Sequence, residues 1–229
     1  MEIDFNSRSR KHSEFSNFHP DVIHNSLTYI VDNPLSIRGQ RTLEHAFQIE
    51  KFIRIDRRWA DYLLSVSKSK TALEMKQLGN TGKNGEYFKF LKSENDKLAK
   101  ISRKSYKTLF EELVEKERDV WRPYNKALMK RLLREKFFNV NYKSALLNTG
   151  NASLHEIGRG NGVWIKSGND WLGQLLMEIR EEYSNQSKQI KNSTEEEYYG
   201  FLFEHLYDTD NEEEEIQMKQ KKKKTEREK

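Results

Sequence analysis

Glu44, Gln48 and Lys51 are three polar residues whose types and spacing could form a chemical site. Thr42 is a good N-cap residue, and apolar residues follow it at helical spacing, so we expect a helix to begin here. Spacings of four and three residues place the carboxylate, the carboxamide and the ammonium group along one stripe of that helix. Such a stripe could act on a polar substrate, but the same pattern is more often a solvated helix face, and both interpretations stay open at this point.

A second candidate site is the glycine-rich segment from Gly158 to Gly168, which contains Trp164 and is followed by Asp170 and Trp171. Because a glycine loop cannot bury a large ring by regular packing, Trp164 could stack on a flat ring such as a nucleobase, or it could anchor the loop in the core. Backbone N–H groups of the loop could also bind phosphate. The segment lacks the Lys-Ser/Thr ending of a P-loop and follows no clear strand, so by itself it is weak evidence for nucleotide binding.

The composition of the 229-residue chain limits the chemistry that these groups could support. It contains no cysteine, which excludes disulfide bonds, cysteine-ligated zinc, iron–sulfur clusters and thiol nucleophiles. The six histidines are not spaced as a metal-binding cluster, so we expect neither a metal site nor a cofactor. Any catalysis must therefore rest on carboxylates, amides, lysines and aromatic rings.

The formal net charge of +5 conceals two regions of opposite sign. Residues 185–229 carry a net −3 in alternating acidic and basic blocks, which leaves +8 on residues 1–184. Blocks of like charge repel themselves and stay hydrated, so we expect one folded domain over residues 1–184 and a disordered tail over 185–229. Lys221–Lys224 in the tail could alternatively be a localisation or polyanion-binding patch. The positive domain suits a phosphate-bearing partner.

The elements that must position the candidate groups are predicted to be mainly helical. A β-branched and aromatic segment at 27–31, a turn at 32–34 and a second apolar segment at 35–37 predict a short β-hairpin near the N-terminus. The spacing of apolar residues predicts helices from Thr42 onward and over residues 59–66, 69–78, 125–138, 141–147 and 172–183. Residues 83–119 combine a helical rhythm with high charge and are expected to form a charged helical insertion. The predicted class is therefore mainly α with a small β element.

The first residues and the hydropathy of the chain bear on its location. The chain begins Met-Glu-Ile-Asp-Phe, which lacks the basic and apolar regions of a signal peptide. No apolar run approaches the roughly 18 residues that span a bilayer. Together with the absence of cysteine, these features predict a cytoplasmic protein that does not enter a membrane.

A series of short motifs occurs in a fixed order over residues 15–180, which is nearly all of the predicted domain. They are Phe15-Ser16-Asn17-Phe18, Thr42–Gln48, Lys51, Trp121, Met129, Lys136-Phe137, Leu146–Gly150, Leu154-His155-Glu156, Trp164 and Leu172–Arg180. No single motif would suffice, but in order and spacing the series resembles the NADAR family, whose best-known members are the YbiA-like N-glycosidases. The resemblance implies a compact, YbiA-like helical domain, in agreement with the predicted helices.

The resemblance further implies hydrolysis, without a cofactor, of the N-glycosidic bond between a ribose derivative and a base-like leaving group. Cleavage of this bond develops oxocarbenium character at the sugar, which a nearby carboxylate can stabilise while it orients or deprotonates water. Glu44 is the candidate for this role. Lys51, on the same stripe, would meet a substrate phosphate or tune Glu44. Trp121 and Trp164 would stack on the base or close the pocket, and Asn17 would hydrogen-bond to the base or the ribose.

The chain departs from the family pattern at several positions. An Asp usually stands five residues after the Glu of the Leu-x-Glu motif, and here that position is Asn161. The Gly after the loop Trp is Ile165, the Asn before Leu-Gly matches Asp170, and the Asp after the earlier Trp is Arg122. If the missing Asp is an obligatory acid or base, Asn161 would cripple turnover unless Asp170 supplies a displaced carboxylate. The basic residues of the stretch 83–119, which is longer than the family suggests, could recruit a larger anionic substrate or simply solvate the added helices.

These features together lead us to expect an N-glycosidase that acts on a small phosphorylated ribosyl-pyrimidine, as in the early reactive intermediates of riboflavin biosynthesis. One alternative is hydrolysis of ADP-ribose joined to a nucleobase. Another is a catalytically weakened module that binds ADP-ribose or, through its positive charge, nucleic acid.

Overall fold

The computed structural model describes residues 1–19, 42–98, 104–158 and 162–190, and over these residues the protein is mainly α-helical, as its sequence predicts. Two short strands accompany the helices, β1 (Glu2–Phe5) and β2 (Ser153–Glu156). The helices are α1 (Leu43–Ile55), α2 (Arg57–Val66), α3 (Ala72–Leu78), α4 (Glu86–Lys97), α5 (Tyr106–Lys116), α6 (Arg122–Phe137), α7 (Val140–Leu147) and α8 (Trp171–Ile190). The predicted hairpin at 27–37 and the tail from residue 191 onward lie outside the described residues.

Helix α1 lies at the centre of the fold, with α2, α3 and α6 packed against it. Eleven of its thirteen residues are buried, and these include polar side chains as well as apolar ones. The predicted N-cap is confirmed, because the Thr42 side chain accepts a hydrogen bond from the backbone N–H of His45. A surface helix buries only one face. The burial of α1 on most sides therefore places its polar stripe inside the protein.

The two strands form a small parallel sheet that joins the beginning of the chain to its later part. Glu2 pairs with Ser153, and Phe5 pairs with Glu156. Side chains alternate across a strand, so Leu154 and Glu156 point toward the same, buried side. This sheet was not among the sequence predictions. Each strand is only four residues long, and a pairing between segments so far apart leaves no local signal.

Helix starts agree with local signals in the sequence. The Thr71 side chain accepts from the backbone N–H of Glu74 at 3.3 Å, and the Glu74 carboxylate accepts in return from the backbone N–H of Thr71 at 2.8 Å. This capping box begins α3 at Ala72, a little later than the predicted start. Pro123 lies in the first turn of α6, and the chain enters this turn already in helical conformation from residues Glu117–Trp121. Helix α6 therefore begins three residues before the predicted residue 125.

Helix α8, with 20 residues, is the longest described helix and runs past Ser184, where the sequence places the end of the domain. It approaches β2 closely because Gly173 has no side chain. A Cβ at this position would lie 2.0 Å from the carbonyl oxygen of Leu154, closer than any real contact. None of the helices in the described part of the chain is long and apolar enough to span a membrane.

The charged stretch 83–119 contributes to the same core as the rest of the domain. Tyr87 on α4 is buried, with its ring centroid 4.7 Å from that of Phe52 and 5.6 Å from that of Trp59. The Tyr87 hydroxyl donates to a carboxylate oxygen of Asp56 at 3.2 Å. Leu113 on α5 is buried as well. The helical pair therefore shares its apolar residues with α1 and α2.

The substitution Tyr87→Ala tests this shared core. We expect it to lower the free energy of unfolding of the whole domain by about 3–5 kcal/mol, the cost of a cavity left by a large aromatic ring. The exposed Tyr106 on the same helical pair is the control, and its replacement by Ala should cost less than about 1 kcal/mol. Chemical denaturation followed by circular dichroism measures both values. If the denaturation curve instead showed two unfolding transitions, and Tyr87→Ala shifted only the one with the smaller change in signal, residues 83–119 would fold as an independent unit.

Candidate functional site

Two carboxyl groups lie buried in the interior, Glu44 in the first turn of α1 and Glu156 at the end of β2. Their residues are 3% and 7% exposed. Two consecutive residues join them, because the Ser16 hydroxyl donates to Glu156 Oε1 at 2.6 Å and the Asn17 amide Nδ2 donates to Glu44 Oε2 at 2.5 Å. Burial is the largest cause of the raised pKa of Glu156, and the negative charge of Glu44 adds to it.

Glu44 is held on both carboxylate oxygens. Besides the bond from Asn17, Gln48 Nε2 donates to Glu44 Oε1 at 2.8 Å, across one helical turn. The backbone N–H of Glu44 donates to the carbonyl oxygen of Asn17 at 3.1 Å, which also fixes the preceding segment against the start of α1. Burial raises the pKa of Glu44, while the bond from Gln48 and the charges of Lys76 and Lys51 oppose that rise.

Glu156 was missed as a site residue by reasoning from the sequence. Burial, and next the charge of Glu44, raise its pKa to about 7, although the bond from Ser16 and the charges of Lys76 and Lys136 act in the opposite direction. Lys136 is itself buried and donates from Nζ to the carbonyl oxygen of Ser16 at 2.9 Å. A signal for Glu156 is present in the sequence, because alternate residues of a strand share a face. Glu156 stands two positions after the apolar Leu154 and would therefore be buried on the same side of a strand.

The amides that bind Glu44 keep hydrogen-bonding capacity. Asn17 Oδ1 and Gln48 Oε1 are buried, and neither has a hydrogen-bond partner among the described residues. Buried polar atoms are nearly always paired in native proteins. Asn17 Oδ1 is therefore suited to accept a hydrogen bond from a hydroxyl or amino group of a ligand next to Glu44, whereas Gln48 Oε1 lies against Gly79, where a Cβ would come within 1.8 Å of it.

Lys51, the third member of the polar stripe, is buried and paired with a different acid. Its Nζ lies 2.6 Å from Glu117 Oε1 and donates to the carbonyl oxygen of Gly79 at 3.2 Å. Burial lowers the pKa of Lys51, and the adjacent Glu117 opposes that effect. Lys51 and Glu44 interact through their charges. This arrangement fits a role of Lys51 in shifting the pKa of Glu44 better than a direct contact of Lys51 with phosphate. Since all three residues of the stripe are buried, the interpretation as a solvated helix face is wrong.

A π-helical turn positions both Glu117 and Trp121 beside α1. The turn spans Glu117–Trp121, at the junction of α5 and α6. Such turns are rare and occur frequently at functional sites. Here the turn places Glu117 against Lys51 and leaves the Lys51 Nζ 5.9 Å from the centroid of the Trp121 ring. The charged stretch 83–119 therefore supplies a residue to the site through Glu117.

The two candidate tryptophans lie against one aromatic residue of α1. The ring centroid of Phe47 lies 4.9 Å from that of Trp121 and 5.5 Å from that of Trp164, both in edge-to-face geometry. Trp164 also meets Trp171, at 5.4 Å. Trp121 is 5% exposed and belongs to the core, whereas Trp164 is half-buried. Phe47 follows Glu44 by three residues, so both rings are brought to the helix that carries the central carboxylate.

Asp170 lies apart from the two carboxyl groups. Its Oδ2 is 2.6 Å from Nδ1 of His155, and its own backbone has a positive φ of 55° just before α8. His155 precedes Glu156 in β2 and therefore points to the opposite face of the strand. The structure thus brings Asp170 to His155 rather than to Glu44. Asn161, the other position considered for an acid or base, lies outside the described residues.

The lysines of the stretch 83–119 are largely paired where the structure describes them. Four ion pairs with neighbouring acids have N–O distances of 2.6–3.8 Å: Lys89–Glu86, Lys97–Glu94, Lys104–Glu112 and Lys107–Glu111. Lys92 lies over the ring of Tyr106, 4.4 Å from its centroid. Paired charges present a weaker field to a nucleic-acid backbone than an unpaired cluster would.

Comparison with known proteins adds no relative. No model of a protein family matches the chain, and searches of curated proteins and of solved structures return no match either. Within the described ranges, no group of three or more His, Asp or Glu side chains is arranged to hold a metal ion.

The raised pKa of Glu156 predicts a pH dependence of stability. Between the ordinary value of 4.5 and about 7, the folded protein keeps a proton on Glu156 that the unfolded chain has released, so stability falls as pH rises through this interval. We expect the free energy of unfolding to fall by about 3 kcal/mol more in the wild type than in Glu156→Gln between about pH 4 and about pH 8. Denaturant titrations at several pH values measure this, with Glu181→Gln, an exposed residue of α8, as the control. Parallel curves for wild type and Glu156→Gln would contradict it.

The pair of Lys51 and Glu117 predicts non-additive effects. Glu117→Gln leaves a buried ammonium group without its counter-charge, and we expect a loss of about 3 kcal/mol in the free energy of unfolding. The double variant with Lys51→Met should lose at least about 1 kcal/mol less than the sum of the single losses. The exposed pair Arg57–Asp61 is the control, and breaking it should cost less than about 0.5 kcal/mol. Strictly additive losses at Lys51 and Glu117 would show that the two groups are not coupled.

Proposed function

We propose that this protein is an N-glycosidase with a YbiA-like domain, which hydrolyses the bond between the anomeric carbon of a ribose derivative and the nitrogen of a base-like leaving group. The observation that carries the proposal is the buried carboxylate of Glu44, held on both oxygens by amide N–H groups from Asn17 and Gln48. Breaking a ribosyl C–N bond develops positive charge on the sugar. A fixed negative charge in a water-poor site stabilises such a transition state strongly, because it need not reorganise during the reaction.

Glu44 would act in two ways. Its negative charge would stabilise the developing oxocarbenium ion, and one of its oxygens would accept a proton from the attacking water. The amide donors from Asn17 and Gln48 favour the ionised form and hold the carboxylate in one orientation. The carbonyl oxygen of Asn17, Oδ1, has no hydrogen-bond partner among the described residues and would accept a hydrogen bond from a ribose hydroxyl or from an amino group of the base. Lys51, which forms an ion pair with Glu117, would adjust the pKa of Glu44 through its electric field.

The proposed substrate is a small phosphorylated ribosyl-pyrimidine, as in the early reactive intermediates of riboflavin biosynthesis. The resemblance of motifs around Asn17, Glu44 and Glu156 to YbiA-like proteins supports this class. The surplus positive charge of residues 1–184 supports a phosphate-bearing substrate. Lys76 is exposed, yet its charge reaches both Glu44 and Glu156, so it is a candidate to meet the phosphate at the edge of the site. A cytoplasmic location, where such metabolites form, is part of the same proposal.

The test is release of ribose 5-phosphate from the ribosylaminopyrimidine phosphate by purified protein. We expect turnover by the wild type and a loss of at least about 100-fold in kcat/KM for Glu44→Gln, the scale of removing one well-placed electrostatic or acid–base group. Glu50→Gln is the matched control, because Glu50 is buried on the same helix but bound to Arg54 on another face. Its activity should stay within a few-fold of the wild type.

The other outcomes separate the alternatives. Calorimetry with ADP-ribose and with single-stranded DNA, run beside the hydrolysis assay, detects binding without turnover. Binding of either compound with no hydrolysis of any ribosylated base would replace the proposal by a binding module. Release that is unchanged in Glu44→Gln would remove Glu44 from the mechanism.

A further inference from the structure

Glu44 and Glu156 differ in how they are bound, although both are buried. Glu44 accepts hydrogen bonds on both oxygens from amide N–H groups, and such bonds favour the ionised form. Glu156 accepts one bond, from the Ser16 hydroxyl on Oε1. Over the described ranges of the chain, its other oxygen, Oε2, has no hydrogen-bond donor. Burial raises the pKa of both groups, but Glu44 accepts more hydrogen bonds that stabilise its ionised form than Glu156 does.

The groups that face Glu156 are consistent with this difference. Glu44 from α1 places a negative charge near it, and Lys76 from α3 and Lys136 from α6 place positive charges at longer range. The net result, with burial as the largest cause, is the pKa of about 7 described above. A carboxyl group that carries a proton near neutral pH can donate it during catalysis. Where the two carboxyl groups of a pair have different pKa values, the group with the higher pKa acts as the acid and the other as the base.

The bridge through Ser16 and Asn17 fixes the two carboxyl groups relative to each other. Consecutive Cα atoms are about 3.8 Å apart, and each of these two side chains binds a different carboxyl group. The two carboxyl groups therefore belong to one hydrogen-bonded cluster built on the same two-residue segment. Asp170 does not have this position, because it binds His155 on the opposite face of β2.

We propose that Glu156 is the second catalytic carboxyl group of this site and donates its proton to the leaving nitrogen. This inference rests on the N-glycosidase function proposed above. As the C–N bond breaks, its electron pair stays on nitrogen, which takes the proton from Glu156. Water bonds to the anomeric carbon and gives a proton to Glu44. The products are the free sugar and the neutral amine or base, and one proton passing from Glu44 to Glu156 through solvent restores the starting state.

The experiment compares two leaving groups. The ribosylaminopyrimidine phosphate releases a poor leaving amine that needs a proton, whereas 4-nitrophenyl riboside 5-phosphate releases a stable phenolate that does not. We expect Glu156→Gln to lose at least about 100-fold in kcat/KM on the first substrate, within the range of general acid catalysis, and less than about 5-fold on the second. Glu44→Gln should lose activity on both substrates, since the charge on the sugar is common to them. Glu50→Gln again serves as the control.

The pH profile gives a second readout. With the ribosylaminopyrimidine substrate, kcat/KM of the wild type should fall above about pH 7 as Glu156 loses its proton, and this fall should be absent in Glu156→Gln. Equal losses of Glu156→Gln on both substrates would reduce Glu156 to a structural role and overturn the inference, while the N-glycosidase function would stand. Unchanged activity of Glu156→Gln on the amine substrate would overturn it too. A wild type that hydrolyses neither substrate would instead overturn the proposed function, and this inference with it.

Discussion

The burial of two carboxyl groups near each other is the constraint on which the rest of the site depends. An ionised carboxylate in a protein interior is costly unless hydrogen bonds and opposite charges compensate for its lost hydration. Here the compensation comes from four directions: Ser16 and Asn17 before α1, Gln48 within it, Lys76 on α3, and Lys136 on α6. Because Lys136 also holds the Ser16 carbonyl oxygen, the segment before α1 is fixed to α6 at the point where it binds the carboxyl groups.

Helix α1 unites the groups that the proposed chemistry needs. Glu44 faces the carboxyl pair, Phe47 receives the two tryptophans, and Lys51 binds Glu117 at the far end of the stripe. A helix that carries so many polar side chains is stable in the interior only if each meets a partner from another element. The stretch 83–119 is one of those elements. It looked like an addition to the fold, yet its π-helical turn supplies Glu117, and Tyr87 packs against Phe52.

The sequence predicted much of the helical framework and only part of the site. The N-cap Thr42 and the ends of most helices follow from local hydrogen bonding and apolar spacing, which act over a few residues. The polar stripe was recognised, but whether it faced solvent could not be known from its own spacing. The spacing from Leu154 indicates burial of Glu156, but nothing in the local sequence marks Glu156 as a site residue. Asp170, the candidate for a displaced carboxylate, binds His155 instead.

The sequence by itself determined the mainly helical class, the absence of cysteine chemistry and the set of polar residues available to the proposed site. Only the tertiary structure decided which of those residues meet. The pairing of β1 with β2 brings Glu156, more than a hundred positions along the chain from Glu44, beside the residues that follow β1. The same long-range packing turns Lys51 toward Glu117 and buries the stripe of α1. Burial and the proximity of charges shift the pKa of a carboxyl group, and both are properties of the folded arrangement that no local pattern encodes.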